Sequence, residues 1–360
     1  MQRFHYNYYI SRISDGVIMK RIELNKIYLD VKRPMLDRSI DAFLSSSHPS
    51  RADVSRTCST SLSTAGKVAA ALIEGSFMSE RLYARENEKK PCLHLSIKDE
   101  LGVMVIDLSS ERYTINILGG DLSSLFYDAY SASDDVALQD DLLTFLSRSG
   151  LRAKRSGARF NTICVLVSDE SRNTQRRTPV IKNSEKISSI ISSVFGKFPV
   201  SFITVSEAIS GAIKYDLIPN TDKFSGASYI FAGSRLFACH VFPDGKALFC
   251  NPDDLIIESG TTLGQQIYAI SQRSMTDELA IRLTNFMSCA FGSQTVILES
   301  DRFSFTEEML HRVAKAYAKA DSLMPNIIAK STLPQISVQG AAITAIAKLI
   351  KSYLVASNEK

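Results

Sequence analysis

Between Ser50 and Met78 the chain reads SRADVSRTCSTSLSTAGKVAAALIEGSFM, and its apolar residues recur with a helical period rather than alternating. Ala65, Val68, Ala69, Leu72 and Ile73 stand at i, i+3, i+4, i+7 and i+8, one apolar face of a helix that Ser61 can cap and that runs to about Glu74. Upstream, Ser50 can cap a shorter helix with Asp53 in its first turn, where a carboxylate suits the positive end of the helix dipole. A polar break, Thr57 to Ser61, separates the two. Beyond Gly75 and Ser76, an apolar strand, a polar loop carrying Arg81, Arg85, Lys89 and Lys90, and a second apolar strand with Cys92, Leu93, Leu95 and Ile97 predict a wing. The whole stretch predicts a winged helix-turn-helix. Ser61, Ser63, Thr64 and Lys67 lie at the end of the second helix that a recognition helix pushes into the major groove. Arg51 and the wing cations Arg81, Arg85, Lys89 and Lys90 suit phosphates.

Further along, the rhythm changes to strands alternating with helices. LGVMVIDL at 101–108 and YTINIL at 113–118 have strand length, with Gly-Gly-Asp closing the second as a turn. A helix is predicted at about 133–149, a strand at 162–167, a helix at 187–195, a strand at 200–205 and a helix at 208–215. Segments 228–231, 236–242 and 247–250 predict a β-meander turning at Pro243, Asp244 and Gly245. Helices at 276–291 and 306–320 flank a strand at 295–298, and a last helix covers about 338–355. Such alternation predicts an α/β body with mixed sheets. No repeat of solenoid length is present.

Charge sharpens the picture of the first hundred residues. Residues 1–98 hold 16 Lys and Arg against 10 Asp and Glu, and the remainder holds 26 against 28. The positive balance of the chain is therefore that of its N-terminal part, as a nucleic-acid partner requires. A length of 360 residues suits two or three domains. No run of eighteen apolar residues predicts a membrane span, and the first sixteen residues carry no secretion signal, so a cytoplasmic location is expected. Six scattered cysteines form no CxxC pair and read as small buried hydrophobes, and no His/Cys cluster has zinc spacing.

With these elements in place the chain resembles the repressor branch of the ROK (repressor, ORF, kinase) family. The segments SRADV and LSTAGKVAAALIEGSF resemble the family's head, and EKKPCLHL its wing exit. Val105–Asp107 with Tyr113–Leu118 is similar to the first β-hairpin of an actin/hexokinase-type ATPase fold. Ser206, Glu207, Ala208, Ala212 and Ile213 sit where the family starts a helix with Asn-Asp, Gly233–Ser234 sits in its second phosphate hairpin, and Gly340–Ala341–Ala342 resembles its Gly-Ala-Ala helix. The resemblance covers the chain from about residue 36. It implies an α/β protein with an N-terminal winged helix-turn-helix over 1–98, then a two-lobed actin/hexokinase-like (ribonuclease H-like) fold with lobes at 99–218 and 219–360.

Departures from the family pattern bear on activity. Ser109 and Ser110 follow Asp107 where a kinase needs glycines whose N–H groups approach phosphate. Arg235 and Phe237 replace glycines of the second hairpin, and Glu207 replaces the family's catalytic aspartate. The sugar-binding Glu-x-Gly-His and the zinc cluster have no counterpart in 245–275. The resemblance thus implies a transcription regulator, a repressor of carbohydrate-related genes, whose kinase-like body needs no cofactor and holds no metal. Its partners would be double-stranded DNA, a second copy of the chain and a small-molecule or sugar effector, with no membrane. Asp107, Ser206, Glu207 and Arg235 are the candidate ligand contacts. The alternatives are an active carbohydrate kinase with Glu207 as base, and a pseudo-enzyme scaffold that no longer binds DNA.

Overall fold

The computed structural model describes residues 24, 26–45, 49–83, 92–110, 112–131, 138–169, 184–218, 226–232, 236–250, 256–258, 261–262, 292, 295–300, 306–319, 326–330 and 334–357. The chain divides into two compact units, one of Met1–Ile203, Tyr215–Leu217 and Ala341–Lys360, the other of Thr204–Lys214 and Ile218–Gly340.

The first unit begins with a short strand β1 (Ile27–Tyr28) and three helices, α1 (Arg33–Phe43), α2 (Arg51–Thr57) and α3 (Leu62–Glu74). α1 was not foreseen. It starts with Pro34 in its first turn, where a missing N–H costs nothing, and buries Leu36, Ile40 and Phe43 at i, i+4 and i+7. α2 opens on a capping box: the Ser50 hydroxyl accepts from Asp53 N at 3.2 Å while Asp53 accepts from Ser50 N at 2.9 Å. Ser61 caps α3, accepting from Thr64 N at 3.0 Å. The face read from the sequence is the buried one: Ala65, Val68, Ala69 and Leu72 are fully inaccessible, with Ala71 almost so, while Ile73 lies at its margin. An antiparallel hairpin follows, β2 (Met78–Tyr83) with β3 (Cys92–Ile97), in register from Met78 opposite Ile97 to Tyr83 opposite Cys92. It is tied back to α2 by a bridge from His94 to Ser50.

Residues 98–102 lead from the hairpin into a five-stranded sheet of β4 (Val103–Asp107), β5 (Arg112–Leu118), β6 (Ser124–Ser131), β7 (Thr162–Val167) and β8 (Val200–Thr204), ordered β6-β5-β4-β7-β8. β4 is antiparallel to β5 and parallel to β7, and β6 is antiparallel to β5. The Gly119–Gly120 turn grips the entering segment. Gly120 N donates to Asp99 O at 3.2 Å, and a Cβ on Gly120 would lie 2.0 Å from Lys98 O. α4 (Leu138–Ser156) and α5 (Ser184–Phe195) cover one face of this sheet, where Ile106, Ile115, Ile117, Phe145, Leu146, Ile163, Val165 and Ile191 form a solvent-free core. α4 extends seven residues beyond the end expected at 149.

The second unit holds α6 (Val205–Lys214) and another five-stranded sheet, β9 (Ala227–Ala232), β10 (Leu236–Val241), β11 (Ala247–Cys250), β14 (Thr295–Glu299) and β15 (Asn326–Lys330), with a minor hairpin of β12 (Ile256–Glu258) and β13 (Thr261–Thr262). Its order is β11-β10-β9-β14-β15: β9 is antiparallel to β10 and parallel to β14, β10 is antiparallel to β11, and β14 is parallel to β15. In each sheet the strands, counted along the chain, are arranged third, second, first, fourth, fifth. A helix joins the fourth strand to the fifth in both, α5 in the first and α7 (Glu307–Lys319) in the second. The fold is a duplication that the sequence does not display as a repeat. The meander turns at Pro243–Gly245 as read, with Gly245 at φ +81°, a left-handed conformation that glycine adopts without strain. α8 (Ile336–Tyr353) runs from the second unit into the first and is followed by β16 (Leu354–Val355), which pairs in parallel with β1. α6 begins three residues earlier than expected, and the helix read at 276–291 lies outside the described residues.

Candidate functional site

Two groups of residues carry the candidate chemistry, and each follows from local structure. On α3 the first turn faces solvent. Ser61, Leu62, Ser63 and Lys67 are exposed and Thr64 is half-buried. Ser61 and Thr64 are engaged with one another, hydroxyl to hydroxyl at 2.9 Å, so Ser63 and Lys67, one turn apart, are the outward polar pair. Lys67 forms no ion pair among the described residues. Arg51 and Arg81 differ in this respect. Arg51 binds Glu80 at 2.5 Å, joining α2 to β2, and Arg81 binds Asp99 at 3.1 Å. Arg85, Lys89 and Lys90 lie outside the described residues. The hairpin also exposes an apolar cross-strand pair, Leu82 at 72% and Leu93 at 51%.

In the first sheet Asp107 closes β4, almost fully buried. Its carboxylate accepts from Ser109 N at 2.9 Å and from the Ser109 hydroxyl, while Ser110 donates to Arg112 O at 2.9 Å. The turn that would have to bind phosphate is closed by its own side chains. In the second unit Glu207 occupies the third position of α6 and accepts from Thr204 N at 2.9 Å, while Glu207 N donates to the Thr204 hydroxyl at 3.3 Å. That is a capping box, and it holds the carboxylate over the helix start. Ser206 lies beside it, its hydroxyl 3.2 Å from that of Thr204. Asp107 belongs to one unit and Ser206 and Glu207 to the other. Arg235, with Gly233 and Ser234, lies outside the described residues. Phe237 is buried and packs against Tyr229 and Phe249, ring centroids 6.1 and 5.3 Å apart.

Buried polar groups that sequence reasoning passed over are more tightly held. Glu299 ends β14 with 1% exposure, accepting from Tyr229 OH at 2.6 Å and from Ile336 N, the first residue of α8, at 2.8 Å. A carboxylate at a helix N-terminus meets unpaired N–H groups and the positive end of the dipole. Asp41 on α1 accepts from Tyr215 and Lys351. Burial, reinforced by that carboxylate, pushes the Tyr215 hydroxyl far above the usual phenol range. The helical stripe Arg33, Asp37, Asp41 at i, i+4, i+8 was the available signal.

His240 is buried in β10 with Nδ1 3.0 Å from the Ser228 hydroxyl. Burial lowers its pKa. The unfolded chain therefore binds a proton more readily below about pH 6.5, so stability is full above that pH and falls as acid protonates the unfolded state. Thermal denaturation between pH 7 and 5.5 is expected to show the decline, and His240→Gln to flatten it; an equally steep decline in the variant refutes the assignment. Cys58, Cys164 and Cys239 are buried. Among the described residues no group of His, Cys, Asp and Glu is placed to hold a metal ion, and no helix is long and apolar enough to cross a membrane.

The duplicated sheets and their helices define a mixed α/β fold. The chain is similar to a solved ROK family transcriptional regulator, described as a homolog of the E. coli MLC protein, with 14% identity over 89% of this chain and 99% of that one and a TM-score of 0.56. Weaker similarities are to a ROK family protein from Streptococcus pneumoniae solved with sucrose (12% identity, 70% and 100% coverage, TM-score 0.46) and to a ROK family glucokinase from Streptomyces griseus solved with glucose and AMPPNP (11%, 68% and 99%, 0.47). No family model matches the sequence, and no curated protein matches it. At these identities the likeness is one of fold.

Proposed function

We propose that this chain is a DNA-binding transcriptional regulator of the ROK type, a repressor of carbohydrate-related genes. Residues 1–98 act as a winged helix-turn-helix, and 99–218 and 219–360 as the lobes of a kinase-like body that dimerises and senses an effector without transferring phosphate. The observation that supports this most directly is the head: three helices and a hairpin, with the outward first turn of α3 presenting Ser63 and Lys67, which has no ion pair among the described residues. The fold likeness to a solved regulator, which extends over 89% of the chain, favours the same reading. The side-chain-closed turn at Asp107 and the capping role of Glu207 support a body without kinase activity. Dimerisation follows from size, since one winged head offers modest contact area and specific affinity needs two half-sites.

The test is selection of bound fragments from genomic DNA by the purified chain, repeated with sugars added. On a recovered fragment, Lys67→Ala and Lys90→Ala are each expected to weaken binding and to make the slope of log K against log salt shallower by about 0.9, one phosphate's worth. Arg51→Ala is expected to change that slope less, because Glu80 already neutralises its guanidinium. Unchanged affinity and slope in both lysine variants would remove the basis for the head as a DNA reader.

A further inference from the structure

The outward face of α3, all of it in the first unit, is set apart by which of its side chains are long. Ser63, Lys67, Ala70 and Glu74 follow one another along it at i, i+4, i+7 and i+11, all exposed, with Leu62 and Gly66 beside the first two. Ser63, Gly66 and Ala70 are small, and a Cβ on Gly66 would meet nothing within 4 Å, so no neighbour in the head fills that space. The backbone of α3 can therefore come close to whatever this face meets. In its first two turns Leu62 and Lys67 are the outward side chains that project. Leu62 is 60% exposed. The Ser61 and Thr64 hydroxyls lie 2.9 Å apart and Ser61 accepts from Thr64 N at 3.0 Å, so both are spent on capping the helix.

A leucine exposed on an arbitrary surface calls for no explanation. The position of Leu62 gives it one. A helix enters a major groove about 12 Å wide with its N-terminal residues against the base edges. The Lys67 ammonium has partners there in phosphate oxygens and guanine acceptors. Leu62 has neither a donor nor an acceptor. Pressed against guanine O6 and N7, or against the amino groups of adenine and cytosine, it would strip water from a polar group and return no hydrogen bond. The one apolar group that base pairs present in that groove is the 5-methyl of thymine.

We propose that Leu62 is a specificity-determining residue that reads a thymine of the half-site through its 5-methyl group, while Lys67 holds a phosphate. This rests on the regulator reading and names what its recognition helix selects. The contact separates T·A from C·G twice over, through the methyl that cytosine lacks and through the cytosine amino group that a hydrocarbon would leave unpaired. It is also uncharged. It adds affinity without releasing counterions, so salt dependence tells it apart from the lysine contacts.

Methyl deletion in the DNA tests it. Fluorescein-labelled duplexes of a fragment recovered from genomic DNA by the full chain are prepared with each thymidine in turn replaced by deoxyuridine, which keeps the base pair and removes only the methyl. Replacement at the contacted position is expected to weaken binding about fourfold, the worth of one buried carbon, and to leave the salt slope unchanged. In Leu62→Ala the unmodified duplex is expected to bind at least about fourfold more weakly, and the same deoxyuridine to have no further effect. Leu62→Met keeps an apolar side chain of similar volume and is expected to retain the deoxyuridine penalty, which separates loss of the contact from loss of the fold. Salt-sensitive binding with no penalty at any thymine overturns the proposal and leaves the head a DNA reader. A penalty of equal size in Leu62→Ala overturns it too. A chain that retains no duplex at any salt concentration removes the regulator reading, and the proposal with it.

Discussion

Gly340→Ala is expected to lower the melting temperature of the second unit, against the ordinary preference of helices for alanine. In an open helix position the exchange stabilises by about 1 kcal/mol, since glycine gives up more backbone freedom on folding. At position 340 the new Cβ would be 2.0 Å from Ala208 O and 2.8 Å from the Ala208 carbonyl carbon. Those are backbone atoms of α6 and cannot rotate away, so the helices must separate or the carbonyl must tilt. Overpacking of this kind costs about 1–3 kcal/mol, and Gly340→Val, with two more carbons, is expected at or above the upper end. A loss of about 3 kcal/mol corresponds to roughly 10 °C in a domain of this size class. Gly66 of α3 supplies the control, because a Cβ there meets nothing within 4 Å. Gly66→Ala is expected to stabilise the head by up to about 1 kcal/mol. Differential scanning calorimetry reads both. A rise in melting temperature for Gly340→Ala would show that α6 and α8 are not in the contact described.

The two glycines also mark how far the sequence could be read. α3 was legible because its apolar face, Ala65, Val68, Ala69 and Leu72, is a local pattern with a capping serine in front. The need for Gly340 is not local, since the atom that excludes a side chain belongs to Ala208, and only the resemblance drew notice to that position. β6 escaped notice for a different reason. Its inward positions, Phe126, Asp128 and Tyr130, include a buried carboxylate held by Ser149 at 2.7 Å and Arg152 at 2.6 Å, while its outward positions include the exposed Leu125 and Tyr127. With large apolar residues on both faces and a carboxylate on the inner one, the alternation that announces a strand is blurred there. α1 was passed over although Pro34 and the Leu36, Ile40, Phe43 spacing were available, and its polar stripe has partners 174 and 310 positions away. The duplication of the sheets could not be read at all. VMVID and ASYIFA hold corresponding central places with no common pattern beyond being apolar and of strand length. The candidate sites divide in the same way. Glu207 was legible as a carboxylate at a helix start, but its pairing with Thr204 was not drawn from the sequence. Arg51 was legible as a cation, but its neutralisation by Glu80 depends on the hairpin coming back over α2.

The purified chain, given Mg-ATP and a panel of hexoses and N-acetylated hexosamines, is expected to release no ADP above the uncatalysed rate. Kinases turn over at about 1–100 per second, and phosphoryl transfer depends almost wholly on positioning and on donors aimed at the phosphates. Both contributions are compromised at the residues that would supply them. After β4 the Ser109 N–H is already spent on Asp107 at 2.9 Å, and Ser109 and Ser110 put two nearly buried side chains where phosphate would need bare backbone. A phosphate approaching that turn must displace an anion bonded to the same donor, which like charge makes unfavourable. The base position is compromised too. The Glu207 carboxylate is drawn back over Thr204 N, and a catalytic group misplaced by about 1 Å costs roughly 100-fold. Acting on the same transition state, these defects are expected to leave turnover at least about 10⁴-fold below an ordinary kinase. Coupled ADP release is sensitive enough to see a far smaller deficit. Sustained turnover with any one sugar, lost in Glu207→Gln and retained in Thr204→Ala, would mean that the carboxylate leaves its capping role to act as base, and the body would then have to be read as an enzyme.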